Sequence, residues 1–143
     1  MSKPKILIVD DQDVFREALV RSFREAGFCE QFDLVEAANG AEAVERVEQH
    51  EDIRFAVVDI HMPVMNGVEF IKRFRADFSD RYENCRVFVI TTEASRALRT
   101  QMRELGVIAW LVKPVKPKMF IHTLRSRFAD ELTGVPAQGA AAS

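Results

Sequence analysis

Phe55–Ala56–Val57–Val58–Asp59–Ile60–His61–Met62–Pro63 is the stretch that decides the fold. Four apolar residues run straight into an aspartate, and a proline breaks the chain four residues later. An apolar run of this length, closed by a polar residue and a turn, reads as a buried strand. Asp59 then stands at the carboxyl end of a core strand, the edge at which open α/β sheets bind ligands. The chain is read as built to place one reactive carboxylate there.

On its amino-terminal side, Ile6–Leu7–Ile8–Val9 is another short apolar run, and it ends in Asp10–Asp11. Phe15, Ala18, Leu19, Phe23 and Ala26 recur at helical spacing, with Asp13 as N-cap and Gly27 as the stop just past the end. Residues 32–37 form a weaker, more polar strand. Asn39–Gly40 turns the chain into a helix carrying Ala43, Val44 and Val47 inward.

On its carboxyl-terminal side, the Asn66–Gly67 turn leads into a helix with Phe70, Ile71 and Phe74 on one face. Residues 79–84 are polar and read as a loop. Residues 86–91 are a fourth strand. Ala94, Ala97, Leu98, Met102 and Leu105 mark a helix closed at Gly106, and residues 107–112 are a fifth strand ending in Lys113–Pro114. Pro117 suits the first turn of a last helix, where its missing N–H is no loss. That helix buries Phe120, Ile121, Leu124 and Phe128.

Five apolar strands alternating with five helices predict an α/β fold: a doubly wound, five-stranded parallel sheet covered on both faces. The expected domain spans residues 4–131. Residues 132–143 are expected to be a flexible tail or linker stub, too poor in apolar residues to order themselves.

With 143 residues, 48% of them hydrophobic and 29% charged, the chain is long enough for one domain with a substantial core. A net charge of −2 leaves no overall electrostatic footprint for nucleic acid or membrane. The start carries too short an apolar run for a signal peptide, and no run is long enough to span a bilayer. Cys29 and Cys85 match no metal or redox spacing and are read as ordinary thiols of a reducing cytoplasm, the expected location.

The strand ends carry the chemistry. The first delivers Asp10 and Asp11, the third Asp59, the fourth Thr91 and Thr92, and the fifth Lys113. Strand order does not follow from spacing, but all these groups share one edge of the sheet. Two carboxylates about 4 Å apart repel by roughly 4 kcal/mol at an effective dielectric near 20, so positive charge must sit among them. Hard oxygen ligands suit Mg²⁺, and Lys113 adds a flexible point charge. An aspartate between the two is poised as a nucleophile toward phosphorus.

Asp10–Asp11, Asp59-x-x-Met62-Pro63-x-Met65-x-Gly67, Thr91 and Lys113–Pro114 together resemble the receiver domain of bacterial two-component response regulators. The resemblance implies a flavodoxin-like (βα)₅ fold with strand order 2-1-3-4-5. It implies that Asp59 accepts a phosphoryl group from the phosphohistidine of a sensor histidine kinase or histidine phosphotransfer protein. It assigns Mg²⁺ to Asp10, Asp11, Asp59 and the His61 backbone carbonyl, switching to Thr91 and Trp110, charge neutralisation to Lys113, and a cis bond to Pro114.

This sequence departs from the family pattern with His61 two residues after the phosphoacceptor, Thr92 after the switch threonine, and Trp110 where Tyr or Phe is usual. His61, Thr92 and Glu93 are the candidates for tuning the phosphate's lifetime. Trp110 stands between a fixed, half-buried aromatic and a mobile one. Arg96, Arg99, Arg103, Lys116 and Lys118 are either a solvated face or part of a partner surface; the resemblance places output on the fourth helix, fifth strand and fifth helix.

The resulting expectation is a signalling switch whose only catalysis is its own aspartyl phosphorylation and dephosphorylation, with a protein partner downstream, no direct nucleic-acid contact and no membrane insertion. A stand-alone receiver, a piece of a larger regulator and an unphosphorylated scaffold are the variants of that reading. Phosphatases of the haloacid dehalogenase type also use a strand-end aspartate with Mg²⁺. They need a second aspartate two residues on, where this chain has His61. Neither GxGxxG nor GxxxxGK[ST] occurs, which removes the common nucleotide-binding loops.

Overall fold

The computed structural model describes residues 3–93 and 95–132. The expected tail beyond residue 132, and Ala94 of the helix after the fourth strand, lie outside the described residues. Five strands, β1 (Lys5–Val9), β2 (Asp33–Ala37), β3 (Ile53–Asp59), β4 (Arg86–Thr91) and β5 (Ala109–Val112), pair in parallel in the order β2-β1-β3-β4-β5. Among the described residues the helices are α1 (Asp13–Glu25), α2 (Gly40–Gln49), α3 (Gly67–Asp77), α4 (Ser79–Glu83), α5 (Arg96–Glu104) and α6 (Pro117–Arg127), with a 3₁₀ turn at Phe28–Glu30. The fold is flavodoxin-like.

Strand side chains alternate between two cores, as a period of two requires. Leu7, Val9, Ala56, Val58, Val87 and Val89 pack with residues of α2, α3 and α5. Ile6, Ile8, Phe55, Val57, Phe88 and Ile90 pack on the other face with residues of α1 and α6. Much of the second core is aromatic. Phe55 lies edge-on to Phe32 and Phe128, and Phe88 edge-on to Phe120 and Phe128, with centroids 5.5–6.0 Å apart. Edge-on contact sets the positive ring edge against a neighbour's negative face.

Several expectations change. Apart from Arg54 and Arg86, the three central strands are buried; Asp33 and Glu36 of edge strand β2 are exposed, and β5 is half-buried and starts at Ala109. The N-cap of α1 is Gln12, not Asp13; Asp13 is the first helical residue and pairs with Arg16 at 2.8 Å. Gly27 does follow the helix end in the left-handed region, at φ 87°. Ala97 faces solvent, because Leu98, Met102 and Leu105 already fill the buried stripe of its helix. Leu132, assigned to the tail, is 3% exposed and packs into the second core.

The largest correction is α4, where a loop is expected. Its polar residues hide an apolar pair four apart: Phe78, just before the helix, and Tyr82 both pack on the first core. Arg81 donates to the carbonyl of Val47 near the end of α2, at 2.6 Å, and the Tyr82 hydroxyl donates to the carbonyl of Leu105. Arg75 of α3 donates to the neighbouring carbonyl of Glu104, at 3.1 Å. These bonds tie α2, α3 and α5 together at the amino-terminal edge of the sheet. At the other end of α5, Ser95 caps the helix by accepting from the Leu98 N–H.

Candidate functional site

Strand register sets the site. Val9 lies beside Val58, Asp59 beside Ile90, and Thr91 beside Val112, so Asp10, Asp59, Thr91 and Lys113 emerge at one edge. Asp59 is followed by a loop folded back hard upon it. The Gly67 N–H donates to the Ile60 carbonyl at 2.9 Å, and a Cβ on Gly67 would lie 2.2 Å from the Asp59 carbonyl oxygen. Only glycine permits that approach. Asn66 and Glu69 then close a reciprocal capping box that starts α3. Val64, in the same loop, has φ 69°.

The acidic groups converge. Asp10 and Asp59 are buried and Asp11 is exposed, and one oxygen from each lies within 4.8 Å of the others. The Lys113 ammonium donates to Asp10 Oδ2 at 3.1 Å and to Gln12 Oε1 at 3.2 Å, and stands 3.7 Å from Asp59 Oδ2. It also lies 4.7 Å from the centre of the Phe15 ring, a cation–π contact. The Lys113–Pro114 bond is cis, and the Lys113 N–H donates to the Thr91 carbonyl at 2.7 Å.

One lysine does not balance three carboxylates. Burial, then the charge of Asp10, push the Asp59 carboxyl up from 3.8 to about 6; Lys113 pulls it part of the way back, and Asp11 adds to the rise. Three hard oxygen donors with uncompensated negative charge fit a divalent cation of the Mg²⁺ type.

Around this centre, Thr91 is buried and its hydroxyl accepts from the Glu93 N–H at 3.1 Å. The Glu93 carboxylate accepts from the Ser95 hydroxyl at 3.1 Å and lies 3.7 Å from His61 Nε2, both side chains being about half exposed. Thr92 is exposed and borders a cleft of about 370 Å³ with Gln12, Phe15, Lys113, Pro114 and Val115. Trp110 is half-buried, with the Arg99 guanidinium 4.9 Å above its ring, and shares a narrow apolar pocket with Thr91, Leu98 and Met102. A surface groove of about 850 Å³ lies at the opposite edge of the sheet and holds none of these residues.

Sequence reasoning missed three supporting residues. The Gln12 N–H donates to Asp10 Oδ1 at 2.8 Å, Phe15 lies against Lys113, and Arg16 donates to the Asp10 carbonyl at 2.6 Å while pairing with Asp13 and Glu36. Phe15 appeared in the pattern only as a core residue, and nothing linear marks Gln12 or Arg16. Met62 and Met65 pack against the first core, as their apolar character suggests.

Residues 6–125 match the response regulator receiver domain. The chain belongs to that family. It is 31% identical to a chemotaxis protein CheY homologue of Campylobacter jejuni, over 96% of this chain and 98% of that protein. Against chemotaxis protein CheY1 of Helicobacter pylori it is 32% identical, over 84% and 93% of the two chains. Among solved structures, CheY4 of Vibrio cholerae superposes with a TM-score of 0.74 at 30% identity, covering 87% of this chain and 98% of that one. CheY of Borrelia burgdorferi, solved in a complex with CheX, BeF₃ and Mg²⁺, superposes with a TM-score of 0.73 at 28% identity, over 87% and 89%. As a CheY-like receiver domain, this protein is a two-component signalling switch rather than a conventional enzyme. No helix among the described residues is long and apolar enough to cross a membrane.

Proposed function

We propose that this receiver domain is switched by phosphorylation of Asp59, the donor being the phosphohistidine of a sensor histidine kinase or a histidine phosphotransfer protein. The observation that carries the reading is the buried Asp59 carboxylate converging with Asp10, Asp11 and Lys113 on one sheet edge. In the transfer, an Asp59 oxygen forms a bond to phosphorus while the bond from phosphorus to the donor imidazole nitrogen breaks, and the imidazole leaves with the electron pair. A carboxyl that titrates at about 6 is mostly ionised at neutral pH and available to attack.

Asp10, Asp11, Asp59 and the His61 carbonyl would hold Mg²⁺, which supplies charge neutralisation at the phosphoryl oxygens. The Borrelia burgdorferi relative, solved with Mg²⁺ and BeF₃, supports that assignment. Lys113 reaches the same oxygens from the other side with a mobile ammonium. Thr91 gives up its bond to the Glu93 N–H to donate to the phosphoryl group, which frees Thr92 and Glu93. Trp110, sharing a pocket with Thr91, follows inward, and a partner reads the altered face of α5, β5 and α6. These are the fourth helix, fifth strand and fifth helix of the sequence reading, renumbered by α4. His61 and Glu93 flank the route by which water reaches the phosphorus, and Thr92 narrows the cleft beside Lys113; together they set the lifetime of the phosphate. The functional unit is residues 4–132.

Intact-mass spectrometry after incubation with Mg²⁺ and acetyl phosphate tests the reading. A single phosphoryl adduct is expected, absent from Asp59→Asn and absent with EDTA, together with a change in Trp110 fluorescence. If neither acetyl phosphate nor a phosphorylated histidine phosphotransfer domain gives an adduct, the scaffold reading replaces this one.

A further inference from the structure

Lys113 is held from outside the acidic cluster as well as from within it. Its Nζ donates to Asp10 Oδ2 at 3.1 Å and to Gln12 Oε1 at 3.2 Å, and Asp59 Oδ2 is 3.7 Å away. An ammonium has three protons. Two go to these bonds, and the Asp59 oxygen is beyond hydrogen-bond reach of the third. The other contact is the Phe15 ring, whose centre lies 4.7 Å from Nζ. Gln12 caps α1 and Phe15 stands one turn along, so the start of the helix presents both to the same ammonium.

The lysine has somewhere else to go. Its four-carbon stem is flexible and its head strongly hydrated, and a cleft of about 370 Å³, bordered by Thr92, Pro114 and Val115, opens beside it. Yet the Lys113 side chain is only 11% exposed. Asp10 and Asp59 attract it by charge, a pull that weakens when a divalent cation shares the carboxylates. The face of a benzene ring attracts a cation through its quadrupole, most strongly where water is excluded. Neither the ring nor the Gln12 amide carries a charge, so their hold on the ammonium outlasts that neutralisation.

We propose that Phe15 is a positioning residue for phosphoryl transfer: its ring face, with the Gln12 amide beside it, keeps the Lys113 ammonium within reach of the phosphoryl oxygens and out of the cleft. The proposal rests on the switch reading and adds to it a residue outside the set of aspartates, threonine and lysine. What matters is the electron density of the ring, not only its bulk. A leucine in its place fills much of the same space and has no face to offer a cation.

The experiment compares the full-length wild type, Phe15→Leu, Lys113→Ala and the double variant. Intact mass gives the initial rate of adduct formation with Mg²⁺ and acetyl phosphate. Phe15→Leu is expected to slow the reaction by about fivefold. In the Lys113→Ala background the same change should have no further effect, because the ring acts only through that ammonium. Phe15 also packs against the second core, so leucine alters packing too. Trifluorophenylalanine in place of Phe15 separates the two roles: fluorine drains the ring face while nearly keeping its shape, and a slowing of about threefold is expected with circular dichroism unchanged. In EDTA without a phosphodonor, the urea midpoints of the four proteins should be non-additive, Phe15→Leu costing less when Lys113 is absent. Equal slowing with and without Lys113, indifference of the rate to fluorination, or additive midpoints each overturns the proposal. Absence of an adduct in the wild type would instead count against the switch reading, and the EDTA midpoints alone would then decide whether the ring holds the lysine.

Discussion

Replacing Asp59 by Asn in Mg²⁺-free buffer is expected to stabilise the protein at neutral pH. The native carboxyl titrates at about 6 against an ordinary 3.8, so the folded chain holds this proton more tightly than the unfolded chain does. The stabilisation from that proton is complete below about pH 3.8 and is lost as pH rises through about 6. Above that, the native wild type carries a buried charge that the unfolded chain leaves in water. A shift of roughly two pH units at about 1.4 kcal/mol per unit gives about 3 kcal/mol. Asparagine fills the same space without the charge, so the variant escapes the loss. The stability difference between variant and wild type should therefore widen in the variant's favour by about 3 kcal/mol between pH 3 and pH 7.5. Urea unfolding of both proteins in EDTA at four pH values measures it; with a slope of about 2 kcal/mol per molar, the separation of midpoints grows by about 1.5 M. Adding Mg²⁺ at pH 7.5 should narrow the gap, since the cation binds the native wild type. A separation that stays flat or shrinks as pH rises would refute the reasoning.

Three other outcomes follow from the geometry. Lys113→Ala removes the one cation that, among the described residues, is ion-paired with both Asp10 and Asp59; the Asp59 midpoint should rise, and the initial rate of adduct formation with acetyl phosphate should fall at least tenfold. Gly67→Ala forces a methyl group against the Asp59 carbonyl and should cost about 1–3 kcal/mol in urea unfolding. Tyr82→Phe deletes the bond to Leu105 and should cost about 1 kcal/mol, with faster hydrogen exchange confined to the end of α5.

The sheet was legible because its central strands obey a simple rule: unbroken apolar runs, each ending in a polar group. The shared edge of the candidate site was legible for the same reason, since parallel strands deliver their last residues to one edge, so Asp10, Asp59, Thr91 and Lys113 emerge there without any knowledge of the loops. What escaped depends on contacts across sequence. The helix at Ser79–Glu83 is a single turn and a half, its residues mostly polar, and it exists because Phe78 and Tyr82 find the first core. Gln12, Phe15 and Arg16 support Asp10 and Lys113 from α1 and the residue capping it, and their roles depend on partners up to 101 residues away. The helix starts one residue earlier than its acid suggests: Gln12 caps it, and Asp13, inside the first turn, pairs with Arg16.

The bonds from Arg75 and Tyr82 to the carbonyls of Glu104 and Leu105 hold only one end of α5. The opposite end meets the loop that Thr91 holds through the Glu93 N–H. A rod fastened at one end pivots; it does not slide. Nine residues make a lever about 13 Å long, so a tilt of 10° about the fastened end carries Arg96 roughly 2 Å while Glu104 stays in place. Displacement therefore grows along the helix toward the phosphorylation site. A partner that grips near Arg96 feels nearly all of it, and one that grips near Glu104 feels almost none.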